Sequence, residues 1–132
     1  MNVVDANVLL YAVNSDAPHH ESSRRWLDEA LSGGAIVGFS WVALLAFVRL
    51  STKIGVFPRP LTTDDATVYV DSWLAQPTAR LVGPTARHLV VLADLLRPLG
   101  TGGNLVNDGH LAALSIEHRG AVVSWDNDFD RF

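Results

Sequence analysis

The chain has 132 residues, a formal net charge of −4, 48% hydrophobic residues and no cysteine. That apolar content describes a folded globule, and the length suits one domain covering residues 1–132. The missing cysteines exclude disulfides and thiolate metal sites, and no run approaches the roughly 18 apolar residues of a membrane span. MNVVDANVLL lacks the basic start of a signal peptide, so the expectation is a cytoplasmic protein with no membrane partner. The acidic balance argues against a broad nucleic-acid-binding surface, although nine of the ten basic residues are Arg, the residue suited to forked phosphate contacts.

Asn2–Val4 reads as a short strand with Asp5 at its C-terminal end, and Asn7 is placed to cap a helix through VLLYAV. The polar stretch Asn14–Glu21 leads to a helix from Glu21 to about Ser32, stopped by Gly33-Gly34. Ala35–Phe39 reads as the second strand. Ser40 then caps the apolar helix WVALLAFVRLSTK, whose Trp and Phe fall on helical spacing and suit a core or dimer surface better than a base-stacking platform. Thr62 or Thr63, followed by Asp64-Asp65, starts a helix running to about Ala75. Arg80–Val82 reads as the third strand and Thr85–Leu96 as a helix. The Gly-rich GTGGN leads into LVNDGHLAALSIEHR, and Ala121–Ser124 is the last strand. Strands alternating with helices predict a three-layer α/β domain around a mostly parallel sheet.

In such sheets ligands bind outside the carboxyl ends of the strands. Asp5 ends the first strand, Asp108 starts the helix before the last strand, and Asp126 follows that strand, with Asp128 and Asp130 at alternate positions beyond it. Three acids distant in sequence would meet at one edge, where like charges need a cation; hard divalent ions take such oxygen ligands. Each acid also has an ordinary explanation. Asp5 can simply cap the first helix, Asp108 can complement a helix dipole, and loop acids are commonly solvated. The tail DNDFDR fails as a calcium loop because Arg131 stands at the required glycine position. The five His show no HExxH-like spacing, with His88, His110 and His118 read as helix-surface or helix-end residues. GTGGN lacks the Lys-Ser/Thr of a P-loop, and there is no GxSxG elbow.

With VVDANVLLYA, GNLVNDGHLAAL and SWDNDF in order along the chain, and with HHESSRRWL, SWVALLAFVRLSTK, FPRP and DFDRF between and after them, the sequence resembles PIN-domain ribonucleases. More narrowly, it resembles the mycobacterial-type VapC toxins of toxin–antitoxin pairs. The resemblance implies a three-layer α/β/α PIN-like fold with a mostly parallel central sheet. It also implies an endoribonuclease whose acidic cluster binds Mg²⁺ or Mn²⁺ and cuts single-stranded or looped RNA, often tRNA or rRNA. The partners it implies are an RNA substrate, a second copy in a homodimer, and a VapB-type antitoxin whose C-terminal segment lies over the site.

By position, Asp5, Asp108 and Asp126 become the metal ligands and catalytic acids, with Asp128 as an auxiliary. Asn7 and Ser124 orient them through hydrogen bonds. One departure stands out: many PIN domains carry Glu on the helix after the second strand, where this chain has Ala46 beside Phe47. Glu21 is the available substitute. Arg49 and Arg59 are the expected phosphate contacts. Two alternatives follow from the same residues. One is a degenerate PIN domain that binds RNA or protein without cutting, and the other, weaker, is a phosphatase using Asp5 as nucleophile.

Overall fold

A computed structural model describes all 132 residues. Its strands are β1 (Asn2–Val4), β2 (Val37–Phe39), β3 (Ala79–Leu81) and β4 (Ala121–Val123), and they form one all-parallel sheet in the order β3-β2-β1-β4. Six α-helices connect and cover them: α1 (Ala6–Val13), α2 (His20–Ser32), α3 (Trp41–Ser51), α4 (Thr63–Leu74), α5 (His88–Leu96) and α6 (Val106–Glu117).

Alternation along β1 defines the layers. Val4 packs with α1 to α4 in a core that includes Leu9, Phe39, Leu44, Phe47 and Trp73, where the Phe47 and Trp73 rings meet edge to face at 4.8 Å. Its neighbour Val3 points the other way, joining Val82 and Leu111 under α6. The apolar face of SWVALLAF therefore divides: Phe47 is fully buried, whereas Trp41 is 55% exposed.

Helix starts follow side-chain chemistry. Ser40 accepts from the Ala43 N–H and Thr62 from the Asp65 N–H. Asn7 does not cap α1. Asp5 does, accepting from the Ala6 N–H at 2.7 Å, and so Asn7 lies inside the first turn with its amide free for other partners. Likewise α5 begins at His88 rather than Thr85. Thr85 is held in the preceding turn, giving both its N–H and its hydroxyl to Glu117.

Glu117 also accepts from His88 Nδ1 at 2.5 Å, and His88 Nε2 meets His110 Nδ1 at 2.9 Å. These two histidines thus belong to an internal chain that ties α5 to α6, not to the helix surface. Burial, followed by the neighbouring His88, pushes the His110 imidazole below its usual range.

The pairing of β4 with β1 carries the site. Val4 lies opposite Val123, and the Ala121 N–H reaches the Met1 carbonyl at 3.0 Å. Gly120 makes this approach possible, because a Cβ there would stand 2.5 Å from the Met1 carbonyl oxygen. Gly120→Ala is expected to destabilise the fold by about 1–3 kcal/mol, the usual range for overpacking. Thermal denaturation monitored by circular dichroism checks this; an unchanged midpoint would place the glycine outside the constraint.

Candidate metal centre

Because β1 and β4 run parallel and in register, the residues that leave them emerge at the same edge. Asp5 follows β1, and Ser124, Trp125 and Asp126 follow β4. The Ser124 hydroxyl sits between the two. It donates to Asp5 Oδ2 at 2.7 Å and accepts from Asn7 Nδ2 at 3.1 Å and from the Asp126 N–H at 2.9 Å. Asn7 Oδ1 in turn accepts from the Trp125 N–H at 3.2 Å. Displacement from the cap thus gives Asn7 its place here, bracing the loop after β4 against the first turn of α1.

Asp126 ends the extended stretch and caps a short 3₁₀ turn over Asn127–Arg131, accepting from the Asp128 N–H at 2.8 Å. This turn folds Asp128 back. One ligand oxygen from each of Asp108, Asp126 and Asp128 falls within 4.8 Å of the others. Asp108 reaches the group from the first turn of α6. Burial first, then Asp126, Asp5 and Asp128 in turn, push its carboxyl up to about 6. Burial also raises Asp5, opposed by its bonds from Ser124 and Ala6 and reinforced by Asp126. None of the four ion pairs in the molecule involves any of these acids. A cluster of carboxylates with no basic side chain to balance it matches the donor set that hard divalent cations take.

The close triplet thus contains Asp128 where the sequence reading had Asp5. Asp5 stays in its electrostatic neighbourhood, both of its oxygens being engaged by Ala6 and Ser124. The convergence of Asp126 and Asp128 depends on the 3₁₀ turn, and the capping-type spacing D-x-D was its available signal. Glu21 does not replace the missing glutamate: it is exposed and pairs with Arg24 at 3.1 Å, which with His20 and Arg25 holds its carboxyl below the usual range. Ala46 lies half-buried on α3.

Arg49 sits exposed in the last turn of α3, and Arg59 is exposed beside Val13 and Asn14 at the end of α1 remote from Asp5. Since α1 has eight residues, Arg59 stands roughly 12 Å along the helix from the acidic edge. The structure does not bring either arginine to the carboxylates.

A family model described as PIN domain matches residues 3–132. Over 132 residues the chain is 62% identical to Ribonuclease VapC37 of Mycobacterium tuberculosis, covering all of this chain and 92% of that protein. Among solved structures, M. tuberculosis VapC20, described as a Sarcin-Ricin loop cleaving toxin, superposes with a TM-score of 0.69 at 16% identity, over 98% of this chain and 93% of that one. VapBC2 from Rickettsia felis, solved bound to a DNA fragment from its promoter, gives 0.68 at 18% identity, over 98% and 91%. At those identities the likeness concerns the fold alone. The chain belongs to the PIN-domain family, and within it to the VapC ribonucleases.

Two outcomes follow from the geometry. Ser124→Ala removes the hydroxyl that joins Asp5, Asn7 and Asp126, and is expected to weaken divalent-metal affinity about 10–100-fold, as loss of a ligand-orienting partner does. Metal titration by calorimetry measures this, with circular dichroism as the folding control.

Asp108 gives a pH signature. Its unfolded carboxyl titrates near 3.8 and its folded one near 6, so the metal-free protein loses stability as pH rises between those values. Metal must displace that proton, so the rise in Tm produced by Mn²⁺ should shrink below about pH 6. In Asp108→Asn the metal-free Tm at pH 7 should increase and the Mn²⁺ response should disappear. A full Mn²⁺ response in that variant would remove Asp108 from the centre.

Proposed function

We propose that this chain, as a single domain over residues 1–132, is a metal-dependent endoribonuclease acting as the toxin of a type II toxin–antitoxin pair in the cytoplasm. The observation that carries the reading is the unbalanced carboxylate cluster of Asp108, Asp126 and Asp128 beside Asp5 at the carboxyl edge of the sheet. Its similarity to Ribonuclease VapC37 and to toxin structures supports the same reading.

Asp108 and Asp126 would hold Mg²⁺ or Mn²⁺, with Asp5 close enough to share the charge. A bound divalent cation supplies a Lewis acid to the scissile phosphate and activates a water for in-line attack. Asp128, the third carboxylate of the cluster, would take up the proton that the attacking water releases. Asn7 and Ser124 keep Asp5 and the loop after β4 in fixed orientation. The acids also control access, since without a cation the pocket repels the phosphate backbone. Arg49 and Arg59 are proposed to meet flanking phosphates at a distance from the cut. The partners proposed are a single-stranded or looped RNA substrate, tRNA or rRNA among them, a second copy of the chain, and a VapB-type antitoxin. The antitoxin assignment is supported by VapBC2 of R. felis and by FitAcB of Neisseria gonorrhoeae, which has a TM-score of 0.63 to this chain.

A second reading is kept by one observation, Ala46 where many PIN domains have Glu: a domain that binds RNA or a protein without cutting. The phosphatase alternative is disfavoured because both Asp5 oxygens already accept hydrogen bonds.

Incubation of the purified protein with total cellular RNA, followed by sequencing of new RNA ends, separates the readings. Discrete ends that require Mg²⁺ or Mn²⁺, vanish with chelator and vanish in folded Asp108→Ala and Asp126→Ala variants are expected. The loss should be at least about 100-fold, as for removal of a major charge-stabilising group. RNA binding without new ends under any metal would favour the non-cutting domain.

A further inference from the structure

We propose that Trp125 and the cavity beside it form the subsite for an unpaired nucleobase next to the scissile phosphate, an inference that rests on the nuclease reading above. Trp125 stands between Ser124, whose hydroxyl binds Asp5, and Asp126, a member of the carboxylate triplet. A base on this indole therefore belongs to a nucleotide whose own phosphate lies at the cluster.

Trp125 is fixed at three points, two of them on its indole, although the residue is 40% exposed. Its backbone N–H is held by Asn7 at 3.2 Å, its Nε1–H donates to Ser23 Oγ at 2.8 Å, and the His19 ring lies on one face, with centroids 3.8 Å apart and planes 11° from parallel. A ring already held this way loses little side-chain freedom when a ligand stacks on it. His19 reaches the stack from a left-handed backbone conformation, φ +60°, which is uncommon for a non-glycine residue.

Beside the ring is a cavity of about 300 Å³ lined by Val8, Ser22, Ser23, Trp26, Ser124 and Trp125. It lies at the lower end of the range for small-molecule pockets, suited to one base rather than a longer ligand. Ser124, one of its lining residues, also donates to Asp5 and so links the cavity wall to the acidic edge. Ser23 is 1% exposed; its oxygen accepts from Trp125, and its own O–H has no acceptor among the hydrogen bonds of the fold. A base carbonyl or ring nitrogen provides that acceptor. Two indoles and a buried hydroxyl donor are the elements by which unpaired bases are read: stacking that any base can satisfy, plus a donor that orients its edge.

The test uses the RNA whose cleaved bond the end-sequencing has mapped, as a short oligonucleotide. It is compared with versions in which the base on either side of the cut is replaced by an abasic site, leaving sugar and phosphate intact. With Ca²⁺ replacing the active metal to permit binding measurements, wild type is expected to bind one of the abasic RNAs about tenfold more weakly, the order of a lost base–aromatic stack. Trp125→Ala should lose a similar factor on intact RNA and no longer distinguish the abasic one, while Trp125→Phe restores most of the difference.

Equal affinity of wild type for intact and abasic RNAs, with cleavage still metal-dependent, would overturn the subsite and leave the nuclease standing. If Trp125→Ala instead weakens a VapB-type peptide while RNA binding is unchanged, the cavity belongs to a protein partner and the proposal falls. Absence of metal-dependent cleavage of any RNA would overturn both. The comparison on the RNA side needs no protein variant, so misfolding of Trp125→Ala cannot decide it.

Discussion

The parallel pairing of β1 with β4 is the constraint on which this molecule turns. Val4 opposite Val123 fixes where the next residues leave the sheet, and the hydroxyl of Ser124 then fastens Asp5, Asn7 and Asp126 into one hydrogen-bonded group. Nothing else in the chain brings residues so far apart in sequence to a common edge. A slip of one residue in that pairing would turn Val3 and Val4 to the wrong layers and carry the carboxylates out of register with them. The sterically bare position at Gly120 is where the pairing is protected, since a Cβ there would run into the Met1 carbonyl.

Given that frame, the electrostatics follow from simple counting. Four acids crowd one edge, no basic side chain lies in ion-pair contact with them, and burial first, then the neighbouring carboxylates, raise the Asp108 carboxyl to about 6. The arrangement costs the metal-free protein stability and holds its ligands ready, a common pattern where function rather than stability has set the chemistry. The contrasting case within the same molecule is Glu117. It is the same kind of group, but it is satisfied by Thr85 and His88, and so it serves structure, its carboxyl lowered by those hydrogen bonds despite burial.

Much of this was legible in the sequence because local chemistry and global fold agree. Gly33 after Ser32, Ser40 before Trp41 and Thr62 before Asp64-Asp65 mark helix ends in the fold, the last two by side chains that serve as caps. The placement of Asp5, Asp108 and Asp126 at one end of the sheet required only strand polarity. Elsewhere one residue type admitted two uses and tertiary contacts chose between them. Asn7 and Asp5 are both good caps, and the bond from Ser124 to Asp5 favours the one that leaves Asn7 free to brace Trp125. Thr85 could open a helix but is drawn aside by Glu117, a partner 32 residues away that no local pattern reveals. The inward turn of Asp128 depends on a 3₁₀ geometry that alternate spacing in sequence does not distinguish from an extended tail.

The separation between the two halves of the site also has a kinetic meaning. Asp5 and Ser124 are 119 positions apart, so the centre belongs to the least local contacts in the fold, those whose chain-closure entropy must be met before any contact energy is returned. During synthesis, β1 to β3 and their helices can pack while β4 is still inside the ribosome, and at that stage Asp5 has neither Asp126 nor Asp128 beside it. A chain able to cut RNA while still attached to the machinery translating it would endanger its own production. Splitting the carboxylates between the first and last strands means that the chemistry is assembled only once the whole sheet has closed.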